Sequence, residues 1–288
     1  MEKHVICMDA SGDIAKDVVR ENEIEFVPME YTVQDEVFIA DGTEDDSVMK
    51  QFYARQREGA ETRTSQITPY AYEEAFRKYL EQGYSVLYFC LSSGLSSTYE
   101  SSLLAVENLR EEYQGLEVCS VDTLAATGGI GVLVEKAIEN RRNGMSVKAN
   151  YDDICACVSH IHHFFMVEDL MYLLRGGRVS AASAYMGSML NIKPILKIDE
   201  KGELVTIAKK RGHKAAVQCL AELFEEYYDP SMGNTVYLCT GDSMELQKEL
   251  QEKIKEKHPE LVCRITYLCP VIGAHTGPGM ISVIFLGK

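Results

Sequence analysis

Positive charge is in short supply: 29 Lys and Arg stand against 44 Asp and Glu, a formal net charge of −15 over 288 residues. Nucleic acids and anionic membrane surfaces are bound by basic faces, so neither a nucleic-acid partner nor lasting attachment to anionic lipid is expected. No apolar run approaches the ~20 residues that cross a bilayer, so stable membrane insertion is not expected either. The first residues, Met1 to Asp9, lack the basic flank and long apolar core of a secretory signal, which points to the cytoplasm. Convergent metal-ligand spacing is also missing. Cys7, Cys90, Cys119, Cys239 and Cys269 sit singly in apolar runs, as ordinary buried thiols do. Cys155 and Cys157 form a C-x-C near His160, His162 and His163, without a second C-x-x-C or an H-x-x-x-H. No metal and no cofactor is expected. There is no G-K-[ST] of the Walker type, and Asp122 to Gly131 is not a G-x-G-x-x-G fingerprint.

What is present is a globular composition, 46% hydrophobic and 25% charged, in a chain long enough for two domains. The first half alternates short apolar runs (Val5–Met8, Ile24–Met29, Ser85–Leu91, Leu116–Val121) with helical patterns at Ser47–Arg57, Tyr70–Gln82, Thr98–Glu112 and Ala125–Arg142. That alternation predicts a parallel sheet covered by helices, and fully apolar strands suit it. Val147–Val158 reads as a linking helix. The second half reads as mixed α/β: a helix-rich stretch at Asp169–Leu190, strands at Pro194–Ile198 and Leu204–Ala208 around a turn at Asp199–Gly202, and helices at Lys214–Tyr228 and Ser243–Lys257. Strands at Thr235–Thr240, Arg264–Leu268 and Met280–Leu286 complete it. The expected fold is therefore α/β in two domains, a parallel-sheet domain over residues 1–158 and a mixed-sheet domain over 159–288.

Three segments carry candidate chemistry. Pro270 to Gly279 reads as a shaped loop of glycine and proline that presents His275 and Thr276. Ser92-Ser-Gly-Leu-Ser-Ser-Thr98 follows the most apolar strand and leads into a helix, where unpaired N–H groups and hydroxyls favour an anion. An N-cap explains one or two of these hydroxyls, not five. Thr62 to Pro69 precedes another helix, with Pro69 suited to its first turn, and offers Thr64 and Ser65 either as caps or to the same anion. The alternative chemistry is a serine-dependent acyl hydrolase using Ser93 or Ser96 with His275, although Gly94-Leu-Ser-Ser-Thr98 lacks the second glycine of a nucleophile elbow.

Thr64-Ser-Gln66, Ser92 to Tyr99, Leu170-Met-Tyr-Leu-Leu-Arg-Gly-Gly-Arg178, Leu190 to Leu196 and Gly273-Ala-His-Thr-Gly-Pro-Gly279 together resemble the bacterial DegV family, in order and spacing over nearly the whole chain. The resemblance implies a two-domain protein that buries one long-chain fatty acid between its domains. It implies no enzyme activity of its own, and a separate fatty acid kinase to which the acid is presented for conversion to an acyl phosphate. It maps the carboxylate-holding residues onto Thr64, Ser65, Ser93 and His275, with Gly94, Ser96 and Thr276 assisting and Arg178 engaging the phosphoryl group or the kinase. Two departures stand out: Asp9-Ala10-Ser11 replaces the family's Asp-Ser, which shifts or removes a first-loop hydroxyl, and Pro69 falls two places late. The apolar lining expected for the tail is Met166, Leu170, Met186, Met189 and Ile195, residue types that a plain core would equally contain.

Overall fold

The computed structural model describes residues 3–180 and 191–288. β1 (His4–Asp9) leads through α1 (Lys16–Asn22) to β2 (Glu25–Val27). Pro28 then breaks the apolar run, so what reads as one strand is β2 followed by β3 (Met29–Val33). β3 belongs to a different sheet. With β4 (Glu36–Ala40) and, after α2 (Asp46–Arg57), β5 (Thr62–Thr64) it forms an antiparallel sheet in the order β4-β3-β5. This sheet is not evident from the sequence pattern, and the segment read as a loop before α3 begins as its edge strand.

α3 (Pro69–Leu80) starts on Thr68, whose hydroxyl accepts from Ala71 N, with Pro69 at its first turn. β6 (Ser85–Cys90), α4 (Thr98–Arg110), β7 (Val118–Asp122), α5 (Gly128–Arg142) and α6 (Val147–Val158) complete the first half. Its main sheet, in the order β2-β1-β6-β7, is parallel throughout. Every residue of β6 is buried, because helices cover both faces of the sheet.

The second half contributes β8 (Ile161–Met166), α7 (Leu170–Arg175), β9 (Ile192–Ile198), β10 (Leu204–Arg211), α8 (His213–Tyr227), β11 (Thr235–Thr240), α9 (Met244–Lys257), β12 (Val262–Tyr267), α10 (Pro270–Thr276) and β13 (Ile281–Leu286). Its mixed sheet runs β10-β9-β8-β13-β11-β12, with only the β11–β12 pair parallel. The architecture is thus the two-domain α/β arrangement expected.

The segment expected to be a shaped loop is mostly helix α10. Pro270 occupies its first turn and Gly277, at φ +72°, ends it. The glycine inside it serves packing, since a Cβ on Gly273 would lie 2.4 Å from the Tyr53 hydroxyl. α5 packs against strands of both large sheets (β1 and β6, β8, β11 and β13) and joins the two halves. Its glycines make that possible: a Cβ on Gly128 would lie 2.5 Å from Tyr237 Cβ, and one on Gly131 2.8 Å from the Asp13 carbonyl oxygen.

The six-stranded sheet has two buried faces, and side chains alternate between them. Phe164, Met166 and Ile195 join the core under α8 and α9, whereas Phe165 and Leu196 face α5 and the first half.

Candidate functional site

The site lies at the carboxyl end of the parallel sheet, where the chain order reverses between β1 and β6. Asp9 ends β1 fully buried. Its carboxylate accepts from Leu91 N at 2.8 Å, the Tyr88 hydroxyl at 3.2 Å, and the backbone and hydroxyl of Ser11. Ser11 is therefore occupied internally, and Asp9 acts as a brace for the loop after β6. A second brace comes from β7: Asp122 Oδ1 accepts from Ser93 N at 3.1 Å. The third is Ser92, which donates to the Gly202 carbonyl at 2.8 Å and accepts from Gly94 N at 3.2 Å. Gly94 must be glycine here, because a Cβ would sit 2.6 Å from the Lys201 carbonyl oxygen in the β9–β10 turn.

These braces leave a cavity of about 480 Å³ between the halves of the chain, within the usual size range of small-ligand sites. One part of its wall is polar: Thr64, Ser65 and Gln66 at the end of β5, Ser93 to Ser97 before α4, Arg178 after α7, and His275 and Thr276 on α10. Apolar wall comes from Met29, Leu91, Phe165, Leu173, Ile198 and Val271, among others. The three segments singled out in the sequence thus converge on one cavity.

Their hydroxyls are not equivalent. Among the described residues the Ser65 and Ser93 hydroxyls have no hydrogen-bond partner. Ser96 Oγ lies 2.6 Å from Thr98 Oγ1 and caps Thr98 N at 3.3 Å. The Thr276 hydroxyl turns back to the Ile272 carbonyl at 3.3 Å, and the Gly94 N–H is spent on Ser92. His275 Nε2 lies 2.8 Å from Thr64 Oγ1, while its Nδ1 is buried against Gly176 without a partner.

Burial, and secondarily the Arg178 charge, push the His275 pKa down to about 4, so the ring is neutral at pH 7. Arg178 donates Nε to the Leu95 carbonyl at 2.9 Å and Nη1 to the Gly176 carbonyl, which ties the serine loop to the α7 turn. It is the one Lys or Arg among the described residues lining the cavity.

A serine hydrolase needs its histidine as base against the nucleophile. His275 instead faces Thr64, and among the described residues neither Ser93 nor Ser96 bonds to it. The geometry gives the hydrolase alternative no support.

The tail lining needs correction. Met166 and Ile195 point to the opposite face of their sheet, under α8, because a strand alternates its side chains. Leu170 is core beneath α7 and does not line the cavity. Met186 and Met189 lie outside the described residues. The wall that sequence reasoning missed includes Phe165, Ile198, Leu204, Ala126, Thr127 and His163. Strand parity at β8 was the available signal, since Met166 and Phe165 cannot share a face. The residues near the C-x-C motif do not converge on a metal: among the described residues no group of three or more His, Cys, Asp or Glu could hold one. All nine cysteines are free. Among the described residues no helix is long and apolar enough to cross a membrane.

Comparison with known proteins gives the following. The family described as "Uncharacterised protein, DegV family" matches residues 3–288. A DegV domain-containing protein of Clostridium perfringens is 37% identical over 287 residues, covering 100% of this chain and 98% of the relative. A DegV family protein from Thermus thermophilus, whose structure is described as showing fatty acid binding, shares 26% identity at a TM-score of 0.86, over 99% of this chain and 100% of the other. The fold also matches the Streptococcus pneumoniae Fatty Acid Kinase (Fak) B3 protein loaded with linoleic acid, at a TM-score of 0.85 and 22% identity, over 99% and 100% of the two chains.

Proposed function

Because the chain belongs to the DegV family, we propose that it binds one long-chain fatty acid in the inter-sheet cavity and presents it to a separate fatty acid kinase, which makes the acyl phosphate. The single observation that carries this reading is the cavity itself, an apolar chamber of about 480 Å³ with a hydroxyl-, imidazole- and arginine-lined side assembled from both halves of the chain. We take the boundary between the two domains to fall at the end of α6, near residue 158.

The chemistry of the parts supports it. In a protein of net charge −15 a carboxylate must be compensated locally, and hydrogen bonds to a charged group are roughly twice as strong as neutral ones. The unpartnered hydroxyls of Ser65 and Ser93 are donors for it. When His275 Nε2–H donates to Thr64 Oγ1, the Thr64 hydroxyl hydrogen is free to turn into the cavity, so His275 orients Thr64 rather than acting as a base. Ser96 reaches the acid only when Thr98 donates to it. Arg178 supplies the positive charge on this side of the cavity, and would receive a phosphoryl group there. Each buried methylene contributes about 0.8 kcal/mol, so the tail supplies affinity and the polar loops supply head-group identity.

Mass spectrometry of the purified protein, native and after solvent extraction, tests the reading. The expected result is one fatty acid per chain, loosened in Ser93→Ala and Thr64→Val. Acyl phosphate is expected only when a fatty acid kinase and ATP are added. A protein that stays free of ligand after incubation with mixed fatty acids would overturn the proposal, as would Ser93-dependent ester hydrolysis.

A further inference from the structure

Gln56 sits where a hydrophobe is expected. On α2 the buried side chains are Met49, Phe52, Tyr53 and Gln56, the i, i+3, i+4, i+7 stripe of an amphipathic helix, and Gln56 is only 1% exposed. Its amide orientation is fixed by its neighbours. Nε2 donates to the Gly273 carbonyl at 3.0 Å and to Thr62 Oγ1 at 3.0 Å, while Thr62 spends its own hydrogen on the Ala274 carbonyl at 3.0 Å. Carbonyl oxygens only accept, so both amide hydrogens are committed to this side and Oε1 is left buried without a partner.

Those bonds fall on the two segments that carry the head-group pair. Thr62 lies two residues before Thr64 on the same side of β5, and Gly273 lies two residues before His275 on α10. Gln56 thus clamps β5 to α10 two residues upstream of the 2.8 Å contact between Thr64 Oγ1 and His275 Nε2, without lining the cavity itself. Its backbone carbonyl also accepts from the Tyr172 hydroxyl at 3.3 Å, which ties in α7, the helix that leads to Arg178. A buried amide with an orphaned oxygen is a poor device for stability alone, since the Gly273 carbonyl already accepts from Gly277 N at 2.9 Å.

Resting on the fatty-acid reading above, we propose that Gln56 is a positioning residue for the carboxylate site. It sets the separation of β5 and α10, and with it the contact through which His275 aims the Thr64 hydroxyl. It touches no ligand and acts only through that pair.

Displacement of a fluorescent fatty acid probe by stearic acid and by methyl stearate tests this in the parent, Gln56→Met, Thr64→Val and the double variant. Gln56→Met keeps the length of the side chain, loses both bonds and removes the orphaned oxygen, so the thermal midpoint of the apoprotein should move by only a few degrees. Stearic acid should bind roughly fivefold more weakly, the size of one net hydrogen bond, while methyl stearate, which brings no charged head group, changes little. In the Thr64→Val background the same change should cost nothing further, because the hydroxyl being aimed is gone. A merely structural glutamine would weaken acid and ester alike and add its full loss to that of Thr64→Val. Either result would overturn the proposal, as would stearic acid binding unchanged in Gln56→Met. Should Gln56→Met fail to fold, Thr62→Val cuts the same clamp and should give the same pattern, and its failure to do so would overturn the proposal equally. If stearic acid fails to displace the probe from the parent, the fatty-acid reading falls and this proposal with it, an outcome distinct from a parent that binds stearate and a variant that binds it equally well.

Discussion

Replacing Gly176 with alanine should damage the site while leaving the fold nearly intact. Gly176 ends α7 at φ −74° and ψ −7°, a conformation alanine adopts freely. The backbone therefore gains slightly from the change, about 0.4–1 kcal/mol through a less flexible unfolded chain. The new methyl is the difficulty. Its carbon would lie 2.2 Å from His275 Nδ1, where ordinary contact begins at 3.4 Å, so ring or turn must yield by more than 1 Å. The ring is boxed in on a short helix and holds Thr64 at 2.8 Å through its other nitrogen. A shift of that size breaks the pair, and Thr64 loses the partner that aims its hydroxyl. A hydrogen bond of this kind contributes about 1.5 kcal/mol, so the fatty acid Kd should rise by roughly tenfold. Titration calorimetry with a long-chain fatty acid reads the affinity, and thermal unfolding of the apoprotein reads the fold, whose midpoint should move by only a few degrees. Gly115→Ala is the contrast: at φ +88° with nothing within 4 Å, it should cost about 1 kcal/mol of stability and no affinity. A Gly176→Ala protein that binds within about twofold of the parent would refute the role given to His275.

Thr64→Val removes the hydroxyl but keeps the shape of β5, and should weaken fatty acid binding about tenfold in the same titration. Arg178→Gln removes the positive charge of the described cavity wall, so acid affinity should fall by roughly ten- to a hundredfold, while affinity for the corresponding methyl ester changes little. Stability should also depend on His163. The unfolded chain takes up its proton near pH 6.5 and the folded one only near 4, so the unfolded state binds more protons between those values and stability falls as the pH is lowered through them. The loss is about 3 kcal/mol by pH 4, and His163→Phe should remove it from the difference between denaturation curves. Buried Asp9 and Asp13, whose pKa values are raised by desolvation, tilt the wild-type curve the opposite way but cancel in that difference.

Much of the fold was legible because its signals are local. The apolar run Ser85–Leu91 was legible as a buried parallel strand, which the structure ends at Cys90, and Thr68-Pro69 opens α3 as its residues require. The glycines of α5 showed in the sequence only that they form no dinucleotide fingerprint; what they pack against was not legible. Errors arose where one local rule had two outcomes. Glycine and proline near Pro270 suit a loop, but Pro270 at a first turn and Gly277 after a last one equally bracket a short helix, and contacts with Tyr53 and Leu173's neighbours on α7 select it. β4 and β5 were missed because short, half-exposed strands carry little hydrophobic pattern.

The sequence by itself determined the strand–helix alternation, the acidic surface and the three hydroxyl-bearing segments, since each rests on composition or on neighbours within a few residues. Only the tertiary structure decided which of those hydroxyls are free. Ser11 is spent on Asp9, Ser92 on Gly202 and Thr276 on its own helix, whereas Ser65 and Ser93 remain available on the cavity wall. The same holds for the wall itself: Phe165 and His163 face the cavity and Met166 does not, because the side of a strand that meets the other half of the chain is fixed by docking across more than a hundred residues of sequence.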